Sequence, residues 1–350
     1  MISETALPEW LYLTLKRLNA SYKRKFDQAR SNLHANRQGV QEYLGTYFPR
    51  SYGEVYCIAG NLFQNSRYKP LLTNENVKEI NILDIGSGTG GEIVGLLSVL
   101  NQKLSKNVII NVFAFDGNST SLEYMNDIVR VFSVNFRPIL NQIDVHPYPC
   151  RPVKSEADLL SIAQTVRYVY FDYILCCKVC NELIADGYKG QPYFAVAKNF
   201  STRLKQNGIM LILDTTDRIT DDGPYFPSIM NSELNAFFLS YDQNGQPFGD
   251  QFGTLVPKPC GEPKQCSGDC YMWKLFAIYN PKYPDESGYS GDFSKVCYRI
   301  ICRKKMRDDL LSNCDVLKKS QVILADDRNG KYLFCGRTEG DPVDAFDINS

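Results

Sequence analysis

The sequence predicts an α/β protein with a doubly wound, mostly parallel sheet of seven strands. Three observations carry this. Short apolar runs at 80–85, 108–115, 142–146, 170–177 and 208–214 alternate with segments of helix length, the pattern of parallel strands linked by crossover helices. The first run ends in Asp84 and passes into a glycine-rich turn, Gly86-Ser87-Gly88-Thr89-Gly90, that opens a helix. Two later strand-like runs, 272–279 and 296–303, are joined by a polar, Pro/Gly-rich link and suit an antiparallel pair closing the sheet.

The elements follow in order. Residues 8–45 read as helical, because Leu11, Leu13, Leu15, Leu18 and Tyr22 recur on one face and Pro8 suits a first turn. Residues 47–63 mix aromatics with small residues and predict a helix from about Gly53. Together, 1–75 form an N-terminal helical extension. The alternating core, 76–217, places helices at 90–100, 119–132, 155–165 and 193–206. Residues 218–350 hold a Cys-bearing insertion rich in Gly, Pro, Asp and Asn, a helix at 232–241, the closing strands, and strand-like pieces at 321–325 and 331–334.

At 350 residues with zero formal charge, the chain can bury a full core and carries no global field that would draw in nucleic acid. A local basic run (Lys16, Arg17, Lys23, Arg24, Lys25, Arg30, Arg37) is opposed only by Asp27. It reads as the solvated face of a helix, with RNA contact the sharper alternative. No apolar run reaches the roughly 20 residues of a membrane span, and no basic region followed by an apolar stretch marks a secretory signal. A cytoplasmic chain, or a mitochondrial-matrix one in a eukaryote, is expected. Its 12 cysteines then read as metal ligands or buried thiols rather than disulfides. With only His34 and His146 present, chemistry that needs several histidines is excluded. The sequence gives no oligomeric state.

The candidate ligand site lies at the carboxyl ends of the predicted strands, where open α/β sheets bind small molecules. The spacing D-x-G-x-G-x-G over Asp84, Gly86, Gly88 and Gly90 lacks the Lys-Ser/Thr of a phosphate loop. It matches the first motif of class I S-adenosylmethionine-dependent methyltransferases, which the chain resembles. Asp116, ending the second strand, suits a ribose diol, because a carboxylate accepts two hydroxyl hydrogen bonds. Asp144, read near the end of the third strand, suits the adenine amino group. Cys177 lines the methyl-donor end, and Asn181 and Glu182 are the candidate substrate-side catalytic residues. Asp84, Asp116 and Glu182 could equally be turn or cap residues. The rival for the same fold is a nicotinamide-dependent enzyme.

Cys260-x5-Cys266-x3-Cys270 places three thiols within a short turn-forming loop, a pattern able to ligate an iron–sulfur cluster or, alternatively, Zn. Of Cys297, Cys302, Cys314 and Cys335, the last is favoured as fourth ligand, since it follows a short strand and precedes Gly336. Cys176, Cys177 and Cys180 read as core and pocket residues, because strand neighbours point to opposite faces.

Further residues narrow the resemblance: Leu7-Pro8, Tyr47-Phe48-Pro49-Arg50-Ser51-Tyr52, Cys180-Asn181-Glu182-Leu183, Pro259-Cys260, 295–303 and Cys335-Gly336. They are similar to the methyltransferase-like small-ribosomal-subunit assembly factors of mitochondria and bacteria, which join a class I fold to a four-cysteine iron–sulfur site. The chain departs from that family at Gly261-Glu262, in the earlier position of Cys270, and in lacking a C-terminal Trp-Gly-Asp. The resemblance implies S-adenosylmethionine binding and contact with small-subunit ribosomal RNA. The Asn/Asp-Pro-Pro-Tyr of amino methylases is absent; Lys178-Val179-Cys180-Asn181-Glu182 stands there instead. Pro149-Cys150 and Pro259-Cys260 lie away from the strand ends where a cytosine-C5 nucleophile would be needed. RNA methylation, non-catalytic RNA binding and small-molecule methylation all remain open.

Overall fold

The structure, a computed structural model, describes residues 3–22, 32–64, 67–68, 77–104, 108–136, 140–218, 220, 223–256, 274–279, 291–311, 322–327 and 330–335. The chain forms two compact units, one of Met1–Pro152 with Leu275–Ser294, the other of Val153–Lys274 with Lys295–Ser350.

The first unit runs β1 (Ser3–Ala6), α1 (Glu9–Arg17), α2 (Arg37–Thr46), α3 (Phe48–Gln64), β2 (Glu79–Ile85), α4 (Gly91–Lys103), β3 (Val108–Asp116), α5 (Ser119–Phe136) and β4 (Leu140–Pro149). Strands β2, β3 and β4 are parallel, with Asp84 opposite Ala114 and Asp116 opposite Pro149. Every residue of β2 after Glu79 is buried, which is why the strand is a nearly unbroken apolar run rather than an alternating one. Asn36 caps α2, its side chain accepting from the Gly39 N–H at 2.9 Å. Trp10 of α1 meets Phe132 and Phe136 of α5 edge-on, each at 5.6 Å. Gly95 lets α4 approach α3 to backbone distance, since a Cβ there would lie 2.5 Å from the Tyr52 carbonyl oxygen.

Helix α3 starts at Phe48, ahead of the expected Gly53. Pro49 suits a first helical turn. Gly53 is interior because a Cβ there would meet Ile278 Cγ1 at 2.5 Å: the glycine marks a close contact, not a helix start.

The second unit runs α6 (Glu156–Thr165), β5 (Phe171–Cys177), α7 (Cys180–Ala185), α8 (Pro192–Phe200), β6 (Leu204–Thr215), α9 (Phe226–Leu239), α10 (Phe248–Gln251) and β7 (Phe252–Val256). Strands β5 and β6 are parallel. Two further strands follow, β8 (Lys274–Tyr279) and β9 (Gly291–Arg303), then α11 (Lys304–Leu311), β10 (Val322–Asp327) and β11 (Gly330–Cys335). Within the first unit β8 pairs in parallel with β1, Phe276 opposite Ser3. Within the second, β9 runs antiparallel to β6, with Leu213 opposite Tyr298, as the closing-strand pattern predicts. β7 pairs antiparallel with the end of β9, and β10 with β11. β1, β7 and α11 were not legible in the sequence; β1 is a short segment of mixed exposure with no apolar pattern of its own.

The helix expected over 193–206 stops at Phe200, and β6 begins at Leu204. Arg303, distant in sequence, donates from Nη2 to the carbonyls of Thr202 at 3.2 Å and Leu204 at 2.8 Å. Those bonds satisfy acceptors that a continuing helix would have used. Helix α9 starts at Phe226 rather than 232, with Pro227 in its first turn and Phe226, Met230, Leu234 and Phe237 buried at helical spacing.

Candidate cofactor-binding site

β2 ends in a turn whose glycines all take left-handed backbone angles: Gly86 φ 73°, Gly88 φ 49° and Gly90 φ 81°. Any other residue is disfavoured there. The turn is tied to the end of β3. The N–H groups of Gly86 and Ser87 both donate to the Phe115 carbonyl, at 2.8 and 3.0 Å. Gly88 N–H donates to Asp116 Oδ2 at 2.8 Å, and Asn118 N–H to Asp116 Oδ1 at 2.7 Å. Cys150, just past β4, donates its N–H to the Asp116 carbonyl at 2.9 Å. Three strand tips therefore converge on Asp116. Helix α4 opens directly behind the turn with no side-chain cap, so its first N–H groups face the same rim.

Asp84 is fully buried, and neither carboxylate oxygen has a hydrogen-bond partner among the described residues. The Ser87 hydroxyl donates to the Asp84 backbone carbonyl, at 3.1 Å, rather than to the carboxylate. Burial, reinforced by the charge of Asp116, raises its pKa to about 8, and Ser87 and Glu92 offset only part of that. Burial also raises the pKa of half-buried Asp116, against the opposing pull of the Asn118 and Gly88 N–H groups. Beside it, burial and the Asp116 charge push the Cys150 thiol up to about 11, which leaves no thiolate nucleophile there at neutral pH.

In the second unit, β5 ends at Cys177 and the chain turns through Lys178 with φ 60°, an uncommon angle for a residue bearing a Cβ. Lys178 N–H donates to the Leu213 carbonyl at 2.7 Å. Asp214, fully buried at the end of β6, holds the following turn: its Oδ2 accepts from Asn181 N–H at 2.9 Å and from the Tyr193 hydroxyl at 2.7 Å, and its Oδ1 from Thr215 N–H at 2.8 Å. Burial raises its pKa to about 7 despite those three donors and the Lys178 charge. Glu233 of α9 accepts from the N–H groups of Tyr193, at 2.8 Å, and Phe194, at 3.3 Å, at the start of α8; burial takes it to about 7 as well.

One unit thus has parallel β2, β3 and β4 with a left-handed glycine turn anchored on the acidic tip of β3; the other has parallel β5 and β6 flanked by antiparallel β9. Both units have the alternating α/β architecture, parallel strands linked by helices, that the sequence predicts. No family model matches the sequence, and no curated protein matches it. Among solved structures, the chain is similar to a Streptococcus mutans protein assigned as a methyltransferase and solved in complex with SAH, at 14% identity over 67% of this chain and 94% of that one, TM-score 0.33. It is similar to the rRNA methyltransferase aviRa of Streptomyces viridochromogenes, at 14% identity over 47% and 76%, TM-score 0.27. It is also similar to an S-adenosylmethionine-dependent methyltransferase of Clostridium acetobutylicum, at 15% identity over 81% and 89%, TM-score 0.27.

Of the residues the sequence singles out, the fold brings Asp84, Gly86, Gly88, Gly90 and Asp116 together in the first unit. The strand end expected near Asp144 is a correction. β4 runs on to Pro149, so Asp144 sits mid-strand opposite Asn111, away from the rim. Its two oxygens accept from Gln142 Nε2, each at 2.8 Å. The strand outlasts its apolar stretch because parallel pairing with β3 continues through His146, Pro147 and Tyr148. Cys177 is the buried last residue of β5. Asn181 and Glu182 lie in the first turn of α7; Asn181 Oδ1 is buried without a partner among the described residues.

Cys260, Cys266 and Cys270 lie outside the described residues. Cys335 ends β11, its backbone opposite Val322. Cys297 and Cys302 are both fully buried in β9, and Cys176 Sγ stands 4.0 Å from Cys180 Sγ. Among the described residues no group of His, Cys, Asp or Glu could hold a metal ion. Asp214, Tyr193 and Glu233 are not among the candidates that the sequence offers. Asp214 carried the same signal as Asp84 and Asp116, an acidic residue closing an apolar strand.

Proposed function

We propose that the chain binds S-adenosylmethionine in the first unit and is a methyltransferase acting on small-subunit ribosomal RNA during ribosome assembly. The observation that supports it is the left-handed glycine turn between the fully buried Asp84 and the acidic tip of β3. The residues fit the group: Asp84 is a buried carboxyl at the end of β2, the glycines at 86, 88 and 90 keep the turn uncrowded, and Asp116 retains lone pairs for hydroxyls after accepting one N–H on each oxygen. Bound there, S-adenosylmethionine supplies an electrophilic methyl group. The chain's own work is to orient and hold: Asp116 fixes the glycine turn, and Asp214 fixes the turn that carries Asn181 and Glu182. Among the described residues no side chain stands out as a proton acceptor, and methyl transfer depends largely on positioning.

Calorimetry with S-adenosylmethionine and, separately, NADH tests the cofactor. Binding of the first supports the reading; binding of NADH alone overturns it. In the same titration Asp84→Asn is expected to weaken S-adenosylmethionine at least tenfold, while raising the unfolding midpoint of the ligand-free protein at pH 8, because a neutral amide is cheaper to bury than a carboxylate. Equal affinity in the variant would remove Asp84 from the site. Incorporation of labelled methyl into small-subunit RNA separates catalysis from a second role as a non-catalytic RNA-binding assembly factor, and methylation of a small molecule instead would replace both.

We extend the proposal to an iron–sulfur cluster, or Zn, on Cys260, Cys266, Cys270 and Cys335, in a chain working in a reducing cytoplasm or mitochondrial matrix. It rests on cysteine spacing and family resemblance. Iron, zinc and sulfide analysis of anaerobically purified protein is expected to give near-stoichiometric metal; absence of both metals removes the assignment.

A further inference from the structure

At the amino-terminal rim of the second unit, where β5 and β6 begin and β9 ends, large aromatics stand in solvent. Tyr168 is 83% exposed and Tyr170 52%. The Arg167 guanidinium lies over the Tyr168 ring at 4.7 Å, so one face of the ring is already stacked and the ring's orientation is restrained. Arg203 donates from Nη1 to the Arg167 carbonyl. Arg303 is fastened by the Thr202 and Leu204 carbonyls. Lys205 pairs with Asp172 at 2.7 Å.

The two fastened arginines are held by neutral carbonyl oxygens, which position a guanidinium without cancelling its charge. The rim therefore combines fixed positive charge with exposed rings. An apolar protein partner would want contiguous greasy surface and few lysines; here each ring is interleaved with a cation. Flat rings between cations suit unpaired bases and phosphates, because every base has a face to stack and every nucleotide a negative charge.

We propose that single-stranded RNA docks on this rim, its bases stacking on Tyr168 and Tyr170 and its phosphates meeting Arg167, Arg203 and Arg303. The inference rests on the RNA part of the proposed function and not on its cofactor part. The docking rim lies at the opposite end of the unit from Asp214. β5, which runs alongside β6 from this rim, spans 7 residues, roughly 20 Å at about 3.3 Å per residue. A nucleic acid reaching both ends needs about six stacked nucleotides at about 3.4 Å each. A mononucleotide or other small acceptor does not use this surface.

The test is anisotropy of a fluorescein-labelled, 20-nucleotide single-stranded RNA with the full chain at two salt concentrations. Native protein is expected to bind, more weakly at high salt. Tyr168→Ala should weaken binding at least fivefold, from the loss of one base stack, and Tyr168→Trp should restore it. Arg167→Gln should lower the slope of log affinity against log salt by about 0.7. No RNA binding by native protein, or unchanged affinity in both Tyr168→Ala and Arg167→Gln, overturns the assignment, as does tighter binding of the matching DNA strand. Tyr168 and Arg167 are exposed, so folding should survive, and calorimetry with S-adenosylmethionine on the same variants keeps the two readings apart. Lost RNA binding with intact cofactor binding in the variants supports the docking rim. Intact RNA binding in native protein that takes no cofactor leaves the rim standing and sinks only the cofactor reading.

Discussion

Asp116→Ala abolishes most S-adenosylmethionine binding on the structure proposed above. The carboxylate holds the glycine turn of β2 through Gly88 N–H and its own turn through Asn118 N–H, and it is the acceptor assigned to the ribose. Charge-assisted hydrogen bonds contribute roughly 1.5–3 kcal/mol each. Loss of two to a ligand is therefore about 3 kcal/mol or more, at least a hundredfold in affinity. Removing the carboxylate also frees the Gly88 and Asn118 N–H groups and costs the ligand-free fold on the order of 2 kcal/mol. Asp116→Asn is the control. It keeps one acceptor oxygen, so it should recover part of the stability while still losing affinity. Calorimetry and urea unfolding of native, Asp116→Asn and Asp116→Ala protein measure both effects; affinity within threefold of native in Asp116→Ala excludes this carboxylate from the site.

The second large effect is on stability against pH. Asp214 and Glu233 have folded-state values raised to about 7, and Asp84 to about 8, against ordinary carboxylate values near 4. Each raised group holds its proton in the folded protein at a pH where the unfolded chain has lost it. The folded state thus binds more protons through the window from about 4 to about 7 or 8, and stability falls as pH rises through it. Each tenfold difference in proton affinity is about 1.4 kcal/mol, so these groups together carry on the order of several kcal/mol. Asp158 and Asp242, lowered by backbone N–H donors, act the other way but only below about pH 4. Thermal unfolding should therefore show a midpoint several degrees higher at pH 5.5 than at pH 8. Glu233→Gln keeps an acceptor for the Tyr193 and Phe194 N–H groups without the charge. It should raise the midpoint at pH 8 and leave pH 5.5 nearly unchanged. A midpoint that is flat or rising from pH 5.5 to 8 in native protein contradicts the burial of these charges.

The order of strands β2 to β6, the glycine turn and the acidic ends of the first two of them were legible in the amino-acid order. They depend on local properties: apolar runs of strand length, helical spacing, and a left-handed turn that only glycine enters readily. Ile82, Leu83 and Ile85 are buried whatever surrounds them, and Gly86, Gly88 and Gly90 announce their turn by themselves. What required the tertiary structure depends on partners remote in the chain. Pairing with β3 carries β4 past Asp144 to Pro149. Arg303 helps end the run after α8 by occupying the carbonyls of Thr202 and Leu204. Ser3–Ala6 becomes a strand only because β8 offers it an edge. Asp214 acquires its role because Asn181 and Tyr193, far away in sequence, both donate to it. Local composition encodes which conformations a segment prefers; burial and long-range hydrogen bonding choose among them and decide which charges are taken out of water.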